Sequence, residues 1–146
     1  MPGEQSTTSL GNWYATAIFW RPQVALFVNE TTLLPVLLPL APAASVVDRF
    51  RASVAEVLRA HGISRSFVEA EVAQMSDHRL ATTKNRSVVG IMNEFTFLGD
   101  ASREPGTVLD LGALSMWLAR TPCGPLYGRH GSPDRELAAF VAQQRG

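Results

Sequence analysis

The chain has one cysteine, Cys123, in 146 residues, and three histidines, His61, His78 and His130. A single thiol excludes an intrachain disulfide, so a small secreted scaffold held by staples is not expected. The histidines form no pair at metal-ligand spacing, and we expect neither a metal nor a cofactor. Charge is scarce as well. Charged side chains make up 18% of the chain, and 13 basic residues balance 13 acidic ones. A neutral chain has no broad attraction to nucleic acid or to an anionic membrane, although a local basic patch can still exist. Long apolar runs are missing too: Leu33 to Ala44 is interrupted by Pro35, Pro39 and Pro42, so no segment is expected to span a membrane. Met1 to Ser9 is polar and lacks the charged-then-apolar order of a signal peptide, which makes the cytoplasm the expected compartment. No glycine pattern matches a phosphate loop or a dinucleotide fingerprint.

What is present is core material. Hydrophobic residues make up 46% of the chain, enough to fill the interior of one domain of this length. Residues 1–9 are expected to be a disordered tail, and residues 10–146 a single α+β domain. From Gly11 the chain alternates: Trp13, Ala15, Ala17 and Phe19 on one side, Tyr14, Thr16, Ile18 and Trp20 on the other. Both sides are largely apolar, which predicts a strand buried on both faces. Val24 to Val28 predicts a second strand and Leu33 to Leu40 a third, with Asn29 to Thr32 as the hairpin break. Pro35 and Pro39 remove two donors on the same side of the third strand, so it should be an edge. A fourth strand is expected near 78–83. The whole reads as an antiparallel sheet of about four strands, with helices packed on one face.

Five helices are expected near 46–60, 65–75, 86–98, 108–119 and 133–143. Ser45 can cap the first, and His61 at its end suits the helix dipole. Ser66 and Glu69 have capping-box spacing for the second. The third is the most informative. In Thr82 to Phe95, Asn85 is placed as an N-cap, and Val88, Ile91, Met92, Phe95 and Leu98 make one apolar face. Gly99 reads as its stop. Lys84 and Arg86 flank the cap, where the helix dipole is already positive. Lys84, Asn85, Arg86 and Ser87, with Arg79 nearby, are therefore the candidate anion- or partner-binding site. Gly90 costs roughly 1 kcal/mol relative to Ala inside a helix, which suggests that another backbone approaches there. Asn93, between apolar neighbours, is expected to reach a facing strand.

Three runs occur in order: Gly11-Asn12-Trp13-Tyr14-Ala15, Glu30-Thr31-Thr32-Leu33-Leu34-Pro35-Val36, and Thr83-Lys84-Asn85-Arg86-Ser87-Val88-Val89-Gly90-Ile91-Met92-Asn93. Together they resemble a family of small bacterial proteins known as a domain of unknown function. Thr121-Pro122-Cys123 and Ser132-Pro133-Asp134-Arg135 resemble the tail of its longer members. The resemblance implies a bacterial protein and a shared α+β fold, and it carries over no catalytic residue.

Reactive constellations are thin. Cys123, His130 and Asp134 lie around a Gly/Pro loop, and a thiolate there would need a base within hydrogen-bond reach; the plainer reading is a small buried or half-buried thiol in a tight loop. Glu69 and Glu71 fall on different faces of one helix. Glu30 and Glu94 meet only if the third helix crosses the hairpin turn. Arg79, Lys84 and Arg86 can share a surface, with Trp13, Tyr14 and Trp20 as stacking faces for nucleic acid; the plainer reading makes the aromatics core and the cations solvated. Two functions remain. One is a non-enzymatic binding or regulatory module acting through a protein partner or as a homodimer, with the basic helix start at Lys84 to Ser87 as its site. The other is a nucleic-acid or nucleotide-phosphate binder, or a hydrolase, that uses the same site.

Overall fold

The computed structural model describes residues 10–75, 86–103 and 109–145. Strands β1 (Trp13–Ile18), β2 (Val24–Asn29) and β3 (Pro35–Pro39) form an antiparallel meander in the order β1-β2-β3. Helices α1 (Val46–Ala60) and α2 (Arg65–Gln74) follow, then α3 (Arg86–Ser102), α4 (Leu111–Leu118) and α5 (Pro133–Arg145). The fold is α+β, as expected, but among the described residues the sheet has three strands and not about four. The expected fourth strand, 78–83, lies outside the described residues, as does the expected tail.

Helices cover both faces of the sheet, not one. Trp13, Ala25, Phe27, Val36 and Leu38 turn to one side, where they pack with Phe50, Val54 and Leu58 of α1, Val68 of α2 and Leu137 of α5. The Phe27 ring stacks on Phe50 at 3.9 Å between centroids, and Trp13 meets Phe50 edge-on at 5.2 Å. Tyr14, Ile18, Val24, Leu26, Val28 and Leu37 turn to the other side, against Val88, Ile91, Met92 and Phe95 of α3 and Leu114 and Leu118 of α4. The physical reason lies in β2. All six of its residues are buried, and apolar side chains alternate onto both faces, so each face needs its own cover.

The edge at β3 is sealed by its own residues. Val36 and Leu38 pair with Phe27 and Ala25, so the backbone of Pro35, Leu37 and Pro39 points away from β2. Two of these three residues have no N–H. The third, Leu37, donates to Ser115 Oγ of α4 at 2.9 Å. The Pro39 carbonyl accepts from Arg49 Nη1 at 2.7 Å, while Arg49 Nη2 reaches the carbonyls of Leu40 and Pro42. The prolines thus mark an edge, as their spacing predicts, and a helix and an arginine close it.

Local capping differs from expectation in two places. Ser45 precedes α1, but its hydroxyl donates to the Pro42 carbonyl and accepts from Arg49 Nε, so it caps nothing. The cap of α2 is Ser64, which accepts from the Phe67 amide, while Glu69 pairs with exposed Arg65. Asp110 caps α4 by accepting from the Ala113 amide at 3.0 Å. Helix α3 runs past Gly99 to Ser102. Gly99 is buried inside it, and a Cβ there would lie 2.9 Å from Trp20 Cη2. The glycine is a seat for the indole ring, not a stop.

Candidate functional site

Helix α3 is two-sided. Val88, Ile91, Met92 and Phe95 are buried against the sheet, as their spacing predicts. Arg86, Ser87, Gly90, Asn93, Glu94 and Phe97 are exposed. Arg86 and Ser87 thus stand in the first turn of a 17-residue helix, open to solvent. Their proposed companions Arg79, Lys84 and Asn85 lie outside the described residues. Asn93 does not reach a strand; it sits on the outward side, since the apolar spacing of its neighbours turns it away from the sheet. Among the described residues, and apart from the helix's own backbone, no heavy atom lies within 4 Å of a Cβ built on Gly90, so no described segment approaches it. Phe97 is 67% exposed on the same side.

The aromatic stacking platform does not form, and the core reading of these aromatics holds. Trp13, Tyr14 and Trp20 are all buried core residues, and the guanidinium of Arg103 lies over the Trp20 ring at 4.6 Å to its centroid. The exposed aromatic side chains are instead Phe19, Phe97, Trp117 and Tyr127. The alternation of the first strand places Phe19 inside, but β1 ends at Ile18; Phe97 and Tyr127 belong to no apolar pattern that would mark them.

Cys123 is the small buried thiol of a tight loop, and the nucleophilic constellation does not form. Cys123 is 2% exposed, its thiol donates to the Thr121 carbonyl, and burial, aided by the charge of Glu94, pushes its pKa up to about 11. Such a thiol is protonated at neutral pH and is a poor nucleophile. His130 turns to Glu136: its Nδ1 lies 3.0 Å from the carboxylate, which also accepts from the His130 amide at 2.9 Å and from Arg129 Nη2 at 2.6 Å. Asp134 accepts from Ser132 Oγ and from the Arg135 amide. Glu136 is buried, and all three contacts hold residues 129–130 onto the start of α5. This latch was not foreseen, because its partners lie in a loop without a pattern.

The carboxylate pairs do not assemble. Glu30 accepts from the Asn12 amide at 3.1 Å, whereas exposed Glu94 neighbours Cys123. Glu71 is buried and accepts from the Leu10 amide at 3.2 Å, while Glu69 is exposed beside Arg65. His61 is not the cation at the end of α1: burial lowers its pKa, partly offset by Asp134, and leaves a neutral ring at pH 7. Among the described residues, no three His, Cys, Asp or Glu side chains come together to hold a metal ion. No helix among them is long and apolar enough to cross a membrane.

The densest polar assembly lies at the hairpin turn. Asn29 is buried, and its Nδ2 donates to the carbonyls of Leu10 and Asn12. Its Oδ1 accepts from the Thr31 amide, the Thr32 amide and the Thr32 hydroxyl, at 3.0–3.1 Å. Thr31 Oγ1 also donates to the Leu10 carbonyl. Every one of these bonds is spent inside the fold, tying residues 10–12 to the β2–β3 turn.

A family profile matches residues 1–136, nearly the whole chain. The chain belongs to the DUF6933 family, a domain of unknown function. The family expected from the three sequence runs is thus one known by its domain alone. No curated protein and no solved structure matches this DUF6933 chain. Its function must be read from the surface that the fold leaves open.

Proposed function

We propose that this DUF6933 domain is a non-enzymatic binding or regulatory module of the bacterial cytoplasm, acting through a protein surface, with the outer side of α3 as its contact element. The bacterial part rests on the resemblance of the sequence runs, and the cytoplasmic part on the single cysteine, which excludes an intrachain disulfide. The observation that carries the reading is the two-sidedness of α3. One side is locked into the core, and the other presents Arg86, Glu94 and Phe97 around an uncovered glycine. A large exposed aromatic beside opposite charges on a rigid helix suits protein recognition.

The test is a photo-crosslinking residue placed at Phe97, compared with one at exposed Glu56 on α1. A single adduct of defined mass is expected at position 97, lost when Gly90 is replaced by Leu, and none at position 56. Equal labelling at both positions would remove the reading.

A second reading keeps the same helix start for nucleic acid or a nucleotide phosphate, with possible turnover, through Lys84, Asn85, Arg86, Ser87 and Arg79. The exposure of Arg86 and Ser87 at a helix start favours it. It requires salt-sensitive retention on heparin and a Tm raised by phosphate in wild type but not in Arg86→Ala.

A further inference from the structure

We infer that the outer side of α3 is a two-fold contact for a second copy of this chain, the two α3 helices crossing antiparallel at Gly90. This names the partner of the surface proposed above and rests on that reading.

The argument is one of self-complementarity. Arg86, Gly90 and Glu94 are exposed and spaced four residues apart, so they lie along one side of the helix, and Phe97, seven residues from Gly90, continues it. When two antiparallel helices are related by a two-fold axis through Gly90, each position before Gly90 faces the equally distant position after it on the other copy. Arg86 then faces Glu94 of the second copy, and Glu94 faces its Arg86. Symmetry makes two opposite-charge pairs from one of each residue. The arrangement is specific to this centre: a parallel crossing in register would set Arg86 on Arg86 and Glu94 on Glu94. Among the described residues, neither Arg86 nor Glu94 has an ion-pair partner in its own chain.

The crossing point has the residue that such an approach needs. Among the described residues nothing within 4 Å would meet a Cβ at Gly90, so they give no packing reason for a glycine in an exposed helix interior. Against a second backbone, a missing Cβ lets the axes come close, and the charged side chains can then span the gap. Phe97, at 67% exposure, flanks the crossing on each copy and is covered as the helices meet. One helix pair buries less than a standard protein interface, so the dimer should be weak, on the order of micromolar. Added salt should weaken it further, because its charge pairs lie at the surface.

Sedimentation velocity of the full chain from about 1 to 100 μM tests this. Wild type should pass from monomer to dimer. Arg86→Glu alone and Glu94→Arg alone should each stay monomeric, because each sets like charges opposite one another. An equimolar mixture of those two variants should form a heterodimer, and a chain carrying both changes should dimerise again. Gly90→Leu should block association in every background; it meets open space in the monomer, so circular dichroism should show it folded. A wild type that remains monomeric throughout overturns the inference, as does a dimer indifferent to Arg86→Glu and Gly90→Leu. A monomer that still yields the adduct from position 97 with a different chain would leave the binding-module reading standing. A monomer with no adduct would remove both.

Discussion

The β2–β3 turn and the outer side of α3 are both polar, and they use their polar groups in opposite ways. At the turn, Asn29 is buried and its side chain bonds to residues 10–12 and 31–32 of its own chain. On α3, Arg86 and Glu94 are exposed, with a glycine and an aromatic between and beyond them. The turn has the polar density of a binding site and is a fastener. The outer side of α3 has the sparse charges of a solvated helix and is the surface most open to a partner. Polar density alone does not mark function; what matters is whether the fold itself has already consumed the donors and acceptors.

The sharpest way to break this comparison is to remove the fastener. Asn29→Ala deletes both halves of a satisfied network and strands buried amides and carbonyls. It should cost about 3 kcal/mol, roughly 10 °C in Tm, measured by thermal unfolding at neutral pH. A loss of under about 1 kcal/mol would mean that the turn is not the fastener described.

Cys123 tests the inner side of α3 more gently. Its folded pKa is raised to about 11 from 9.0, so above pH 9 the unfolded chain gives up a proton that the folded chain keeps. Stability should therefore be unaffected below pH 9 and fall as pH rises from 9 to 11, by about 1 kcal/mol at pH 10. The slope should be shallower in Cys123→Ala, in urea melts at matched pH values. A native thiol that reacts promptly with a disulfide reagent at pH 8 would contradict its burial.

Much of the frame was legible in the residues. Val88, Ile91, Met92 and Phe95 could face only the core, because helical spacing puts them on one side. Pro35 and Pro39 could sit only on an edge, because neither can donate to a neighbour. Cover on both faces went against the expected one-sided packing, although both sides of β1 are apolar and all of β2 is buried. Other features depend on contacts far apart in the chain. Gly99 reads as a helix stop until Trp20, 79 positions earlier, is seen to lie on it. Nothing in the spacing marks Arg49, because the β3 carbonyls that it meets are brought to it by the fold. Nor does anything mark Glu136, because periodicity cannot show that the 129–130 loop folds back onto it. The site was half legible: the exposed start of α3 at Arg86 and Ser87 agrees with the spacing, while Trp13, Tyr14 and Trp20, read as a platform, belong to the core.

The two glycines of α3 test most directly whether that helix has one side spent on the fold and one left free. Each is changed to Ala, and stability is measured by urea unfolding at a concentration where the chain is monomeric. Gly99→Ala should destabilise by about 1–3 kcal/mol, because its Cβ runs into the Trp20 ring. Gly90→Ala should stabilise by up to about 1 kcal/mol, because its Cβ meets open space and the helix gains propensity. Opposite signs are the predicted result. Two losses of similar size would show that the outer side of α3 is packed in the monomer, and would contradict the account.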